Sequence, residues 1–284
     1  GHYLVDQLLQ KEHAVIATGL GACRLPFNGR RNFIYAPMDF TDAARVKVVF
    51  EEYKPMAVIH AGAMCKPDDC ELQQELAYKV NVEGTVNLLI ESKQWGSYFL
   101  YVSTDFIFDG NKGMYSEEDV PDPVNYYGVT KWQAEKAVMQ YEGSWAIART
   151  VLVYGKPLAG RSNILTVVKE KLENGEGYKV VSDQVRTPTY VEDLAAGIIL
   201  MIEKKVGGIF HLSGPDILTP FDMACKTADL LQLDKTLLTN VTAATFSQPA
   251  QRPLKTGFRI DKSKKELGFE PIPFDEGLRK TFFS

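Results

Sequence analysis

Short, almost wholly apolar runs that alternate with amphipathic segments constrain this chain more than any other feature. AVIAT, FIYA, AVIHAGA, YFLYVST and WAIARTVLVYG have strand length and no polar face, so they read as strands covered on both sides. Between them HYLVDQLLQKE, DAARVKVVFEEY, ELAYKVNVEGTVNLLIESK and VTKWQAEKAVMQY carry helical spacing. Strands buried on both faces and joined by helices predict an α/β architecture built on a doubly wound parallel sheet. Ligands of such sheets lie outside the carboxyl ends of the strands. That crevice would be bordered by Ala61–Ala63, Ser103–Asp105 and Val153–Gly155.

After Gly155 the rhythm changes. A Gly/Arg/Ser loop, AGRSN, leads to a helix near Ile164–Asn174, a short strand at Lys179–Val181, the helix YVEDLAAGIILMIEK, the strand IFHLSG and a Pro-punctuated helical tail. The division this predicts is a Rossmann-like nucleotide-binding core at 1–155 and 191–214, with a smaller, mixed α/β C-terminal substrate domain at 156–190 and 215–284. A dinucleotide fold usually opens with a strand and a Gly-rich turn before its first helix. Here Gly1 stands directly on HYLVDQLLQ, and it reads as the last glycine of such a phosphate loop.

Composition excludes several classes of function. The net charge of −4 supplies no basic field, so nucleic acid is not an expected partner. No run approaches the ~18 apolar residues of a membrane span, and Gly1–Gln10 does not resemble a signal peptide. Cys23, Cys65, Cys70 and Cys225 form no CxxC pattern, which suggests reduced thiols and a cytoplasmic protein. His2, His13, His60 and His211 are scattered without ligand spacing, so no metal site is expected.

The segment NYYGVTKWQAEK, Asn125–Lys136, places Tyr127 and Lys131 four residues apart, on one helical face one turn from each other. An ammonium beside a phenol stabilises the phenolate and lowers a reference pKa of about 10, which suits a catalytic proton donor. In a chain with 13 Tyr, about one such spacing arises by chance, so the pair alone specifies little.

Taken together, MDFTD (Met38–Asp42), VIHAGAMCKPDDCE (Val58–Glu71), KVNVEGTVNLL (Lys79–Leu89), VSTDFIFDG (Val102–Gly110), YYGVTKWQAE (Tyr126–Glu135), ARTVLVYG (Ala148–Gly155), DQVRTPTYVEDLA (Asp183–Ala195) and RPLKTGFRIDKSKKELGFEP (Arg252–Pro271) resemble the extended short-chain dehydrogenase/reductase superfamily. Within it the chain looks most like the dTDP-4-dehydrorhamnose reductases of rhamnose synthesis, over nearly its whole length. MCKPDDCE departs from the reductase pattern. The resemblance implies NADPH-dependent reduction of the C4 keto group of a nucleotide-linked 4-keto-6-deoxy sugar. It leaves open another nucleotide-sugar epimerase or reductase, and a non-catalytic NADP-binding subunit similar to the β subunit of methionine adenosyltransferase. Relatives with this helix often form homodimers through it.

By the same resemblance Tyr127 is the catalytic acid, Lys131 its partner and a ligand of the nicotinamide ribose, and Thr104 the hydroxyl completing the triad. Asp39 and Phe40 resemble the pair flanking the adenine, Ala61, Gly62 and Ala63 the shelf where backbone approaches the dinucleotide, and Asn81 a prop of the site. The segment after the first strand, ATGLGACR, holds no carboxylate and offers Arg24, which favours NADPH over NADH. For the substrate the resemblance puts Asp105, Phe106, Arg186 and Arg252 forward, with Phe108, Arg161, Lys255 and Arg259 as weaker candidates.

Overall fold

The computed structural model describes residues 1–158 and 162–283; Arg161 and most of the AGRSN loop lie outside the described residues. In chain order the elements are α1 (His2–Gln10), β1 (Val15–Gly19), β2 (Phe33–Pro37), α2 (Ala43–Tyr53), β3 (Ala57–His60), α3 (Pro67–Leu72), α4 (Gln74–Tyr78), α5 (Gly84–Trp95), β4 (Tyr98–Thr104) and α6 (Tyr126–Met139). They continue with β5 (Trp145–Thr150), β6 (Val153–Tyr154), α7 (Ile164–Glu173), β7 (Tyr178–Val181), β8 (Thr189–Tyr190), α8 (Val191–Glu203), β9 (Gly208–Leu212), α9 (Pro220–Leu231), β10 (Leu238–Val241) and α10 (Phe274–Phe283).

Four parallel strands in the order β3-β4-β5-β9 form the central sheet, and β1 pairs with β2, also in parallel, as a separate two-stranded piece. Side chains alternate across each strand, and β4 shows why its run has no polar face. Phe99 and Tyr101 pack with Val46, Phe50, Leu88 and Val138 of α2, α5 and α6. Tyr98 and Leu100 pack on the opposite face with Ile198 and Met201 of α8 and with Leu267 and Phe269. Two smaller clusters hold the C-terminal lobe, one joining α7, α9, β7 and β10, the other joining β6, β8 and α10.

The C-terminal part of the chain returns to the central sheet. Lys262 Nζ donates to the carbonyl of Ile209 at 2.8 Å and Ser263 Oγ to that of His211 at 2.6 Å, so a stretch late in the chain returns to β9.

Three local departures from the sequence expectation have physical causes. The long helix expected over ELAYKVNVEGTVNLLIESK is interrupted by a π-turn at Lys79–Glu83, which widens the helix and turns Asn81 inward. WAIARTVLVYG divides into β5 and β6 because Leu152 takes φ +31, a conformation that breaks a strand. The segment KPDDCEL, for which the pattern predicts no element, forms α3 with Pro67 at its first turn, where a missing N–H costs nothing.

Candidate active site

The carboxyl ends of β2, β3 and β4 meet at one edge of the molecule. Phe40, just after β2, is wedged against Gly62, just after β3: a Cβ at Gly62 would lie 2.6 Å from the Phe40 ring, and Gly84 meets the same ring. Asp39 beside it is exposed and accepts from the amide and hydroxyl of Thr41 at 2.9 and 2.8 Å. Ala61 is exposed and Gly62 and Ala63 are half-buried, so the small-residue shelf is open to a ligand. Arg24 lies exposed beyond β1, and Gly1 precedes α1 with open space where a Cβ would be.

β4 ends in Thr104, whose hydroxyl donates to Asp105 at 3.1 Å and accepts from the Phe106 amide at 3.2 Å. The turn Asp105–Ile107 carries the chain away from the sheet. α6 is laid directly on that turn. Its N-cap Asn125 accepts from the Gly128 amide at 2.9 Å, and Gly128 abuts the Phe106 carbonyl so closely that any Cβ there would overlap it. This contact sets Tyr127 edge-on to Phe106, with centroids 5.9 Å apart, and within hydrogen-bonding reach of Thr104.

One turn on, Lys131 is buried. Its ammonium donates to the Val102 carbonyl at 2.9 Å and lies 4.0 Å from the Tyr101 ring centroid.

Asn81 ties this helix to the shelf. It accepts from the Met64 amide at 2.8 Å and donates to the Met64 carbonyl at 3.1 Å and to Thr130 at 2.9 Å. Thr130 in turn donates to the Tyr127 carbonyl at 2.8 Å.

The electrostatics depart from the expectation of a phenol with a lowered pKa. Burial pushes the Tyr127 phenol up, with only the Thr104 hydrogen bond opposing it, so Tyr127 stands as a protonated acid. Burial drives Lys131 the other way, down to about 7, against the opposing field of Glu135. His60, buried behind the shelf, is held neutral with a pKa of about 3, by burial first and by Lys131 second.

The expected substrate cations are placed differently from one another. Arg186 is buried: its guanidinium donates to the carbonyls of Val185, Leu254 and Pro253 at 2.7–2.8 Å, with Nε 3.8 Å from Asp105. Thr256 donates to the same carboxylate. Burial raises the Asp105 pKa while Arg186, Thr256 and Thr104 pull it back. Arg186 therefore acts on the site through Asp105.

Arg252 reaches across to α3, donating to both Asp68 oxygens at 3.0 and 2.7 Å, and lines a cavity of about 280 Å³ with Tyr178, Val180, Gln184, Phe246 and Gln248. Phe108 is core, stacked on Tyr115 at 4.1 Å, and Arg259 pairs with Asp261 at the surface. Lys255 is exposed.

Sequence reading had passed over Glu71, which accepts from the Tyr126 amide at 2.9 Å, and the Glu135–Arg149 pair beneath Lys131. The one available cue was Glu135, which continues the Tyr127–Lys131 spacing by a further turn. Among the described residues no group of three or more His, Cys, Asp or Glu is placed to hold a metal ion, and no helix is long and apolar enough to cross a membrane.

A family model described as the RmlD substrate binding domain matches residues 1–283. Methionine adenosyltransferase 2 subunit beta of Xenopus tropicalis is 32% identical over 282 residues, covering 96% of this chain and 81% of that protein. The dTDP-4-dehydrorhamnose reductase of Aggregatibacter actinomycetemcomitans is 30% identical over 267 residues, covering 89% and 90%. The solved structure of dTDP-4-dehydrorhamnose reductase from Bacillus anthracis, in complex with NADP, superposes with a TM-score of 0.83 at 28% identity, covering 98% of this chain and 94% of that one.

Proposed function

Because this chain belongs to the RmlD substrate binding domain family, we propose that it reduces the C4 keto group of a nucleotide-linked 4-keto-6-deoxy sugar with NADPH. The observation that carries the reading is the placement of the Tyr127 phenol within reach of Thr104 and one turn from the buried Lys131, beside an open small-residue shelf. The residues present fit a dinucleotide. The Ala61–Ala63 shelf would let backbone approach it, Asp39 and Phe40 would border its adenine end, and Lys131 would hold its nicotinamide ribose. Exposed Arg24, with no carboxylate nearby in GLGACR, suits a 2′-phosphate. When bound, a reduced nicotinamide supplies the hydride.

The chain's own residues do the rest. Tyr127 hands its proton to the substrate's C4 oxygen as negative charge develops there, and Lys131 stabilises the phenolate left behind. Asp105, paired with Arg186 and accepting from Thr256, holds Thr104 in place beside Tyr127. The cavity beside Arg252 takes the nucleotide portion, the guanidinium sharing its charge between Asp68 and the diphosphate.

The 32% identity to a methionine adenosyltransferase 2 subunit beta favours a second reading, a dinucleotide-binding regulatory subunit without turnover. NADPH oxidation assayed across dTDP-, UDP- and GDP-linked 4-keto-6-deoxy sugars separates the alternatives. A reductase consumes one NADPH per product with at least one of them. Inversion at C4 of the corresponding 4-hydroxy nucleotide sugars without net NADPH consumption identifies an epimerase, and NADPH binding with no turnover on any substrate identifies the regulatory subunit.

A further inference from the structure

Two thiols stand at the mouth of this site in a spacing that neither the dinucleotide nor the proton donor requires. α3 begins after its N-cap, Lys66, whose backbone is extended at φ −93 and ψ 115. Cys65 therefore occupies the position just before the cap and Cys70 the fourth residue of the helix. Side chains at these two positions fold onto each other across the first helical turn.

Cys65 is exposed and Cys70 is fully buried, its Sγ donating to the Met64 carbonyl at 3.2 Å. Each lies within electrostatic range of the other and of Tyr127. α3 is also a clamp, Asp68 holding Arg252 and the Ala250 amide, and Glu71 holding the first amide of α6.

We propose that Cys65 and Cys70 form a reversible intrachain disulfide in response to hydroperoxide, a modification site beside the candidate proton donor. Exposure makes Cys65 the thiol that meets the oxidant. Its thiolate attacks the peroxide oxygen, giving the sulfenic acid and one water; Cys70 then attacks that sulfur, forming the S–S bond and releasing a second water. Two thiols are oxidised and one hydrogen peroxide is reduced.

Burial pushes the Cys70 thiol up to about 11, which keeps it from reacting first with the oxidant. Closing the bridge takes Cys70 Sγ from the Met64 carbonyl, the same residue that Asn81 ties to α6.

The test is differential alkylation of the intact protein with and without hydrogen peroxide, followed by peptide mass mapping. The expected result is joint loss of Cys65 and Cys70 from the alkylatable pool within one peptide, reversed by dithiothreitol, with Cys23 and Cys225 still alkylated. In Cys70→Ser, Cys65 should accumulate as a sulfenic acid trapped by dimedone. In Cys65→Ser, which alters only an exposed side chain, Cys70 should stay reduced. Both thiols remaining alkylatable, Cys65 advancing to sulfinic acid beside a reduced Cys70, or Cys65 bridging to a second chain would each overturn the proposal. None of these readouts depends on the reaction the site performs.

Discussion

Tyr127→Phe should lower kcat by about 10²–10⁴-fold, the usual worth of a positioned general acid, and leave NADPH affinity unchanged. The substitution removes one oxygen from a ring already seated edge-on to Phe106 at 5.9 Å, so neither packing nor the shelf is disturbed. The effect is confined to proton transfer, since burial keeps the phenol protonated and ready to donate.

The titrating partner is Lys131, brought down to about 7 by burial. Its charge is present below that value and lost above it, so kcat/KM of the wild type should fall as pH rises through about 7. Undiminished turnover in the phenylalanine variant ends the assignment of Tyr127 as acid. Weakened NADPH binding in a folded variant shows instead that the hydroxyl serves the cofactor.

The second large effect is on stability. Arg149 and Glu135 face each other between β5 and α6 with side chains 1% and 0% exposed, joined at 3.0 Å through Nε and 2.7 Å through Nη2. Removing one member leaves an uncompensated charge in a site closed to water, and Arg149→Met should destabilise the fold by about 3–5 kcal/mol. Replacing both, as Arg149→Met with Glu135→Leu, removes the unpaired charge and should recover most of that loss.

Urea unfolding midpoints of the two single variants and the double variant provide the comparison. A double variant no more stable than Arg149→Met alone would show that the guanidinium acts through its packing on Phe108, 5.4 Å away, rather than through its charge.

Much of the architecture is readable because hydrophobic pattern and sheet geometry say the same thing. β4 is apolar on both faces from Tyr98 to Val102 since α5 and α6 cover one face and α8 the other, as a parallel sheet requires. Helical spacing puts Tyr127 and Lys131 on one face, but singling out that pair, and Thr104 with it, takes the family resemblance.

Other features are invisible locally because they depend on partners far along the chain. Arg186 looks like a surface cation until Pro253, Leu254 and Thr256 close around it and Asp105. Glu71 shows its purpose only once α6 is laid against α3.

The sign of the phenol shift could not be read from spacing either. Proximity of an ammonium predicts a fall, and burial, which periodicity does not measure, outweighs it. The π-turn that aims Asn81 is likewise absent from the pattern, since its five residues KVNVE read as ordinary helix.

In the proposed reaction this site moves a hydride from a dinucleotide to a sugar carbonyl while Tyr127 supplies the proton. Mass spectrometry of the product made from NADPH deuterated at the transferable C4 position, with a 4-keto-6-deoxy nucleotide sugar, tests it most directly. The expected result is one deuterium at C4 of the sugar in each product molecule, with labelled product from Tyr127→Phe reduced by about 10²–10⁴-fold over the same interval. NADPH bound by the folded wild type with no deuterium delivered to any sugar offered would contradict it.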